Sequence, residues 1–163
     1  MISSTLTTAL LWTAAISSGL MAGIYFAFSG FIMKSFGNIP TQYSVTAMNA
    51  INETIIRSWF MPLFFGSSII SVLLVFVAIT NWDETGAGLK LIAGMVYIVG
   101  MFVCTAVFNV PLNQSLAKLD PVSGNAKLVW SEYLRKWTTW NHLRTVSSLV
   151  TCVLCIWLLT YKL

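Results

Sequence analysis

Long apolar runs alternate with shorter polar segments along the whole chain. Four runs approach the roughly 20 residues that a helix needs to cross the hydrocarbon of a bilayer. These runs cover residues 6–31, 60–80, 89–108 and 143–161. A backbone that crosses lipid must satisfy its own hydrogen bonds, so each run is predicted to be a helix. The pattern therefore predicts an all-α fold, a four-helix transmembrane bundle that forms one domain over residues 1–163.

The connections between the runs differ in character. Residues 81–88 ("NWDETGAG") form a short turn, whereas residues 32–59 and 109–141 are longer. In the first long connection apolar residues recur at helical spacing, which predicts an amphipathic helix at the membrane interface. The third connection begins with turn residues and then predicts a second interfacial amphipathic helix, from about Asn125.

Small residues form a ridge along the first run. Ala15, Gly19, Gly23 and Ala27 recur every four residues, and "GLMAG" is a GxxxG motif. Such a ridge lets another helix approach closely, so we interpret it as a packing surface. The ridge is also compatible with a homo-oligomer, which the sequence does not establish.

Composition supports a membrane protein. Only 9% of the residues are charged and 57% are hydrophobic, whereas a soluble domain carries about a quarter charged residues. We therefore expect an integral, multi-pass protein of the cell (inner) membrane. The net charge of +4 does not indicate nucleic-acid binding, because the basic residues lie at the ends of the apolar runs.

The basic residues also predict an orientation. Those on the side of the long connections are Lys34, Arg57, Lys118, Lys127, Arg135, Lys136 and Arg144, and those on the other side are Lys90 and Lys162. Cytoplasmic segments carry an excess of Lys and Arg. The long connections are therefore predicted to be cytoplasmic, with both termini outside.

Cysteine and histidine are too few for a typical metal or disulfide site. Cys152 and Cys155 form a CxxC inside an apolar run, and the second pair that membrane thiol–disulfide enzymes need is missing, since only Cys104 remains. We interpret all three as packing residues. The single histidine, His142, cannot supply several imidazole ligands unless two chains share a site, so no metal site is predicted.

The main candidate for chemistry is "WTTWNHLRT" (137–145), at the start of the last apolar run. On a continuous helix, at about 100° per residue, several side chains share one stripe, with Trp140 beside it. The stripe consists of Trp130, Tyr133, Trp137, Asn141, Arg144 and Ser148. Aromatic faces followed by an amide and a guanidinium suit a flat ligand with a polar or anionic edge. The alternative is an aromatic belt at the membrane interface.

His142 does not join this stripe on a regular helix. It lies about 140° from Trp137 and reaches the stripe only if the helix breaks near Asn141. Asn is a good N-cap, which would favour such a break. His142 is then either a polar residue of the headgroup region or a proton acceptor, since imidazole exchanges protons readily near neutral pH.

The third run ends in "FNVPLNQ", where Pro111 disrupts helical hydrogen bonding. Asn109 and Asn113 therefore flank a kink or a helix end. Their amides either cap the freed backbone or bind a polar atom of a ligand. The first long connection adds further polar side chains on the same side: Asn49, Asn52 and Glu53.

Four stretches together resemble the anthrone oxygenase family of small four-span membrane proteins. They are "GLMAGIYFAFSGFIM", "AMNAIN", "FNVPLNQSLAKLDP" and "WSEYLRKWTTWNHLRT", and the similarity extends over about residues 19–160. The resemblance implies a membrane oxygenase that acts on a (poly)cyclic aromatic or phenolic substrate. Fungal members convert an anthrone to an anthraquinone with molecular oxygen alone. The resemblance thus implies O2 as co-substrate and no cofactor. A metal or haem oxidase with ligands from two chains is a third interpretation, against which the single histidine and the lack of carboxylate clusters within the spans argue.

The resemblance, together with the chemistry of such a substrate, leads to a hypothesis for the residues. Removing a proton from the methylene of an anthrone gives an electron-rich enolate that can reduce O2 without a metal. We assign His142 as the base, and Arg144 as the group that stabilises the anion. The hydrogen-bond donors in this hypothesis are Asn109, Asn113 and Asn141, and the substrate contacts are Tyr133, Trp137, Trp140 and Asn52.

A second interpretation involves no catalysis. The same features would suit a membrane protein that binds a lipid, a quinone or another hydrophobic ligand. In both cases the partners are the lipid bilayer and a hydrophobic small molecule, aromatic in the case of the oxygenase. Convergence of the amides, His142 and Arg144 on one pocket would favour catalysis, and separate surfaces would favour an interfacial anchor.

Overall fold

The computed structural model describes residues 4–161, and this part of the chain is helical apart from turns and short connections. Four helical stretches are long and apolar enough to cross a membrane. They are Ser4–Gly37, Phe60–Thr80, Ala87–Ala117 and Ala126–Thr160. The predicted all-α bundle with four spans is confirmed, and the protein is an integral membrane protein.

Wide turns divide two of the spans into shorter elements. In these π-helical segments each N–H bonds to the carbonyl five residues earlier rather than four. The elements are α1 (Ser4–Ala27), π1 (Phe28–Ile32), α2 (Met33–Gly37), α3 (Thr41–Ile55), α4 (Phe60–Thr80), α5 (Ala87–Tyr97), π2 (Ile98–Val103), π3 (Thr105–Asn109), α6 (Val110–Ala117) and α7 (Ala126–Thr160). The first span comprises α1, π1 and α2, and the third runs from α5 to α6.

Three spans are longer than the apolar runs of the sequence. The first, third and fourth contain 34, 31 and 35 residues. They are about 47–53 Å long at 1.5 Å per residue, whereas the hydrocarbon is about 30 Å thick. Only α4, with 21 residues, has the length of the hydrocarbon alone. Because residues 81–86 tie α4 and α5 closely at the opposite end, the extra length projects on the side of the long connections.

The two long connections differ more than the sequence predicts. The first contains a separate helix, α3, as expected. The segment that follows Asn125 is helical too, but it continues without a break into the last span as the single helix α7. It is therefore not a separate interfacial helix. The reason is local, since residues 126–160 contain neither Gly nor Pro to interrupt the hydrogen bonds.

Buried side chains form three layers along the bundle. The layer nearest the short turn consists of Leu11, Ala14, Ala15, Leu74, Ala93, Cys155 and Leu158. The middle layer consists of Met21, Tyr25, Phe64, Tyr97 and Met101. The third layer, in the projecting part, consists of Met33, Val45, Met48, Leu116, Trp130, Tyr133 and Trp137. Two of its members come from α3, so this helix is packed onto the projecting ends of the spans.

The predicted small-residue ridge is used in part. Gly19 faces α7 closely, because a Cβ built there would lie 3.3 Å from Cys152 Sγ. Gly23 is exposed and would meet nothing within 4 Å. Cys152 and Cys155 are free thiols within the helix packing. The homo-oligomer remains a prediction.

Gly94 on α5 holds α4 and α5 together. A Cβ at this position would lie 2.6 Å from Val75 Cγ2 and 2.7 Å from the Ser71 carbonyl oxygen. Because that oxygen belongs to the backbone of α4, Gly94→Ala must push the two helices apart. We expect it to lower the free energy of unfolding by about 1–3 kcal/mol, measured by thermal unfolding in detergent. Gly23→Ala is the matched control, and an equal loss in both variants would contradict the close approach.

Candidate functional site

The stripe predicted on α7 is buried within the bundle. No member is more than 5% exposed: Trp130, Tyr133, Trp137, Asn141, Arg144 and Ser148. An aromatic belt would present these rings to the lipid headgroups. The burial therefore excludes the belt interpretation for this stripe.

Asn141 lies inside α7, where its side chain forms hydrogen bonds to other parts of the bundle and does not cap a helix. Its Nδ2 donates to the carbonyl oxygen of Tyr25 and to Ser29 Oγ, both at 2.7 Å. Its Oδ1 accepts a hydrogen bond from Arg144 Nη2, also at 2.7 Å. On the first span, Tyr25 lies just before π1 and Ser29 lies within it, where the regular bonding of the helix changes. The break that would bring His142 into the stripe does not occur.

Arg144 is a buried guanidinium held without a carboxylate. Besides the bond to Asn141, its Nη1 lies 3.5 Å from Thr105 Oγ1. The guanidinium carbon lies 4.4 Å from the centre of the Tyr25 ring and 4.9 Å from that of Trp137. Its Nε has no hydrogen-bond partner. Within residues 4–161, no Asp or Glu oxygen lies within 4.0 Å of it.

Two wide turns, π2 and π3, precede Pro111 and carry the third span past it. In a regular α-helix the proline ring would clash with the carbonyl four residues earlier. Widened turns shift these carbonyls and admit Pro111 near the start of α6. The helical stretch therefore does not end at residue 108. Asn109 and Asn113 lie four residues apart on its continuation and contact α7.

Asn113 fixes the orientation of two aromatic rings. Its Oδ1 accepts hydrogen bonds from Tyr133 Oη at 2.8 Å and from Trp137 Nε1 at 2.9 Å. Since two donors meet the oxygen, the amide nitrogen is left to donate elsewhere. Asn109 instead donates from Nδ2 to the carbonyl oxygen of Trp137 at 3.3 Å.

A cavity of about 600 Å³ lies between α3, the start of α4 and the stripe of α7. This volume is in the range of sites for small organic ligands. The aromatic part of its wall consists of Tyr25, Phe28, Phe60, Phe64, Phe65, Phe102 and Trp137. α6 contributes one helical face, with Val110, Asn113, Gln114 and Ala117 at positions i, i+3, i+4 and i+7. The cavity is thus mostly apolar, with polar groups from α3, α6 and α7.

The cavity brings together only some of the predicted site residues. Those on its wall are Asn52, Asn113, Trp137 and Arg144. Those directly behind the wall are Asn109, Tyr133 and Asn141. Of the three amides predicted as donors to a substrate, Asn109 and Asn141 donate to protein atoms instead. That part of the hypothesis is corrected, and Asn113 alone lines the cavity.

Two predicted site residues lie outside the cavity. His142 is exposed on a face of α7 that turns away from the stripe, because α7 is continuous and regular there. Trp140 stacks on Phe108, with ring centres 3.7 Å apart and planes at 6°. Neither residue lines the cavity. The structure therefore does not place His142 where a base could reach a ligand in the cavity, nor Trp140 where it could stack on one.

Several lining residues carried no assigned role in the sequence interpretation. Tyr25 lies against Arg144, and its apolar surroundings in the first run give no signal of that contact. Asn49, Glu53 and Gln114 also line the cavity. The polar groups of the first connection could have been assigned if the position of α3 had been predictable. Metal-binding geometry is absent from the described part of the chain, which has no group of three His, Cys, Asp or Glu side chains.

The family model for anthrone oxygenases matches residues 57–154, which is more than half of the chain. The chain belongs to the anthrone oxygenase family. No curated protein and no solved structure matches this anthrone oxygenase family member.

The matched range contains one part of the cavity and omits another. The buried stripe of α7 and the amides at the end of the third span fall inside it. Helix α3 and Tyr25 fall outside it. The family match therefore does not cover the contribution of α3, and the structure shows where α3 lies in this anthrone oxygenase family member.

Proposed function

We propose that this protein is a membrane oxygenase that oxidises an enolisable (poly)cyclic aromatic or phenolic substrate with O2 in the cavity. One observation carries the proposal: Arg144 is 4% exposed, lines the cavity, and has no carboxylate partner within residues 4–161. Removing one partner of a buried ion pair destabilises a protein by several kcal/mol, because the other charge is left uncompensated. A buried charge without any partner carries a cost of about this size. An anionic oxygen on a bound ligand provides that compensation.

The substrate supplies the electrons for the reaction. Loss of one methylene proton gives an enolate, which passes one electron to O2 and forms a carbon radical and superoxide. These combine to a peroxide anion, which takes up a proton. Loss of the second methylene hydrogen as a proton then breaks the O–O bond and releases hydroxide, leaving a carbonyl. Overall, a CH2 group and O2 become a C=O group and one water.

The residues of the cavity match these steps. Arg144 stabilises the negative oxygen of the enolate, and a water-poor site increases the effect of such a charge. Asn141 positions Arg144 through the bond at 2.7 Å. Trp137 and the phenylalanines of the wall hold a flat ring system, and the free amide nitrogen of Asn113 is available to a substrate oxygen.

The location and cofactor requirement belong to the same proposal. We place the protein in the cell membrane with the long connections in the cytoplasm. Because Arg144 is buried at the site, we leave it out of the count of basic residues that predicts orientation. The side of the long connections then has six basic residues and the other side has two. One of these two, Lys162, lies outside the described residues. O2 is the proposed co-substrate, and neither a metal nor a haem enters the proposed steps.

Oxygen uptake with anthrone as the probe tests the proposal. The purified protein in detergent should consume one O2 per anthraquinone formed, and 18O2 should label the new carbonyl. A protein-free detergent sample gives the rate of spontaneous oxidation. His142→Ala should stay within about twofold of the wild type, because a group outside hydrogen-bond reach makes no general-base contribution. Binding of anthrone without uptake above the protein-free rate would instead support the non-enzymatic ligand-binding protein.

A further inference from the structure

The proposed reaction needs a base that reaches the cavity. A general base must lie within hydrogen-bond distance of the proton it removes, directly or through one water. His142 is exposed on the opposite side of α7 and does not line the cavity. The base must therefore be one of the side chains that line the cavity.

Only three lining side chains can exchange protons in the relevant way: Tyr25, Glu53 and Arg144. Arg144 is a cation and has no free lone pair to accept a proton. An ordinary phenol is protonated near neutral pH, and the buried Tyr25 hydroxyl donates its proton to Met101 Sδ at 3.4 Å, so it has none of the basicity of a free phenolate. Elimination leaves the carboxylate of Glu53.

We propose that Glu53 is the catalytic residue that takes the proton from the substrate. This inference rests on the proposed function. Glu53 lies on α3, four residues before the family match begins at residue 57, so no matched position assigns it. A carboxylate base combined with a group that stabilises the oxyanion is an established means of removing a proton near a carbonyl.

The positions of Glu53 and Arg144 suit a base and a separate group that stabilises the oxyanion. Glu53 reaches the cavity from α3, and Arg144 reaches it from α7. They do not form an ion pair, and within residues 4–161 Glu53 pairs with no other basic residue. In an anthrone the acidic methylene and the carbonyl oxygen lie on opposite sides of the central ring. Two groups on separate helices can therefore act on both sides without neutralising each other.

Differences in exposure give the two charges different environments. Glu53 is exposed, so its carboxylate is solvated and holds its charge without a burial cost. Arg144 is buried, so the enolate oxygen beside it is kept from water. The base therefore lies at the wet end of the cavity and the anion site at the dry end.

Helix α3 is fixed on the bundle and presents polar groups beside Glu53. Its Val45 and Met48 belong to the third buried layer. Asn49 Oδ1 and Asn52 Nδ2 are buried without hydrogen-bond partners, and both residues line the cavity. Rotation of either side chain would bring an unpaired acceptor or donor to the cavity within one helical turn of the carboxylate. They can orient a hydroxyl or carbonyl group of the substrate next to Glu53.

Glu53 can take up and release every proton that the proposed steps require. The carboxylate takes the first methylene proton and becomes a carboxylic acid. It returns this proton to the peroxide anion. It then takes the second methylene proton and gives it to the departing hydroxide, which leaves as water. Glu53 ends the cycle as a carboxylate.

Hydrogen–deuterium exchange without oxygen tests this step alone. Anthrone is incubated anaerobically with the full-length protein in deuterated buffer and detergent, and deuterium in the methylene is followed by mass spectrometry. The wild type should exchange faster than a protein-free sample. Glu53→Gln should lose about 10²–10⁴-fold of that acceleration, the usual contribution of a general base. Glu53→Ala should regain part of it when formate is added.

A matched control and a folding check accompany the variant. Glu132→Gln removes an exposed carboxylate on α7 that pairs with Lys136 outside the cavity, and it should exchange like the wild type. Thermal unfolding of Glu53→Gln should match the wild type. If it does not, the formate response of Glu53→Ala decides, and a lack of rescue overturns the proposal.

The outcomes separate Glu53 from the proposed function. Exchange by Glu53→Gln at the wild-type rate would overturn the role of Glu53 and leave the oxygenase proposal standing. Absence of both exchange and oxygen uptake in the wild type would overturn the oxygenase proposal and the role of Glu53 with it. Loss of exchange in Glu53→Gln alone, with rescue by formate, would support both.

Discussion

Arg144→Met is expected to lower the rate of oxygen uptake with anthrone by about 10²–10³-fold, the usual effect of removing one group that stabilises an oxyanion. The same change should leave the midpoint of thermal unfolding unchanged or higher. Replacing a buried charge with an apolar side chain of similar volume is often neutral or stabilising. The bond lost by Asn141 Oδ1 at 2.7 Å offsets part of that gain. Activity and stability should therefore respond differently.

Arg144→Lys is the matched control for the charge. Lysine keeps the positive charge but has no planar fork that could bond Asn141 and lie over two rings together. We expect its uptake rate to fall between those of the wild type and Arg144→Met. A large drop in the unfolding midpoint of Arg144→Met, with oxygen uptake retained, would show that the guanidinium serves packing instead.

Thr105→Asp is expected to reduce oxygen uptake by about 10²-fold without unfolding the protein. Thr105 lines the cavity, and its Oγ1 lies 3.5 Å from Arg144 Nη1. A carboxylate there would pair with the guanidinium and supply the anion that the substrate is proposed to supply. Two unit charges about 4 Å apart attract by about 4 kcal/mol at the effective dielectric of proteins. The enolate has to compete with this pair.

Thr105→Asn controls for shape in this experiment. Asparagine has nearly the size of aspartate but carries no charge, so its uptake rate should fall much less. Oxygen uptake by purified samples, with thermal unfolding as the check on folding, compares the two variants. Equal loss in both would mean that the shape of the cavity at Thr105 matters and the free charge of Arg144 does not.

The four spans and the buried stripe could be predicted because each follows from a regular spacing. A run of apolar residues predicts a membrane span whatever its neighbours are. Likewise, Trp137, Asn141 and Arg144 share a face on any uninterrupted helix. The ends of the spans were predicted less well, because the projecting parts contain polar residues and are stabilised by packing with one another.

The details of the site depend on contacts distant in the sequence. Asn141 has the same preference for an N-cap whether or not Tyr25 and Ser29 are nearby. Its bonds to the first span, at 2.7 Å, keep α7 regular and leave His142 outside. No local pattern shows which of these alternatives wins.

The positions of the wide turns could not be predicted from the sequence either. Each inserts roughly one extra residue into a turn and requires no particular residue type. Pro111 indicated that the third span was disturbed, but the wide turns before it accommodate the ring without ending the helix. The position of α3, and with it that of Glu53, depends on packing against α6 and α7.

The rim of the cavity has a consequence for measurements of the proposed reaction. Ile56 and Phe65 line the cavity and are 60% and 48% exposed, so apolar side chains form part of its rim. A substrate of the proposed class dissolves in the bilayer, so the concentration that governs its binding is its mole fraction in the lipid. Adding empty vesicles or micelles at constant total substrate would slow the reaction by dilution within the membrane phase. An apparent KM expressed per volume of buffer would therefore change with the amount of lipid, even though the protein is unchanged.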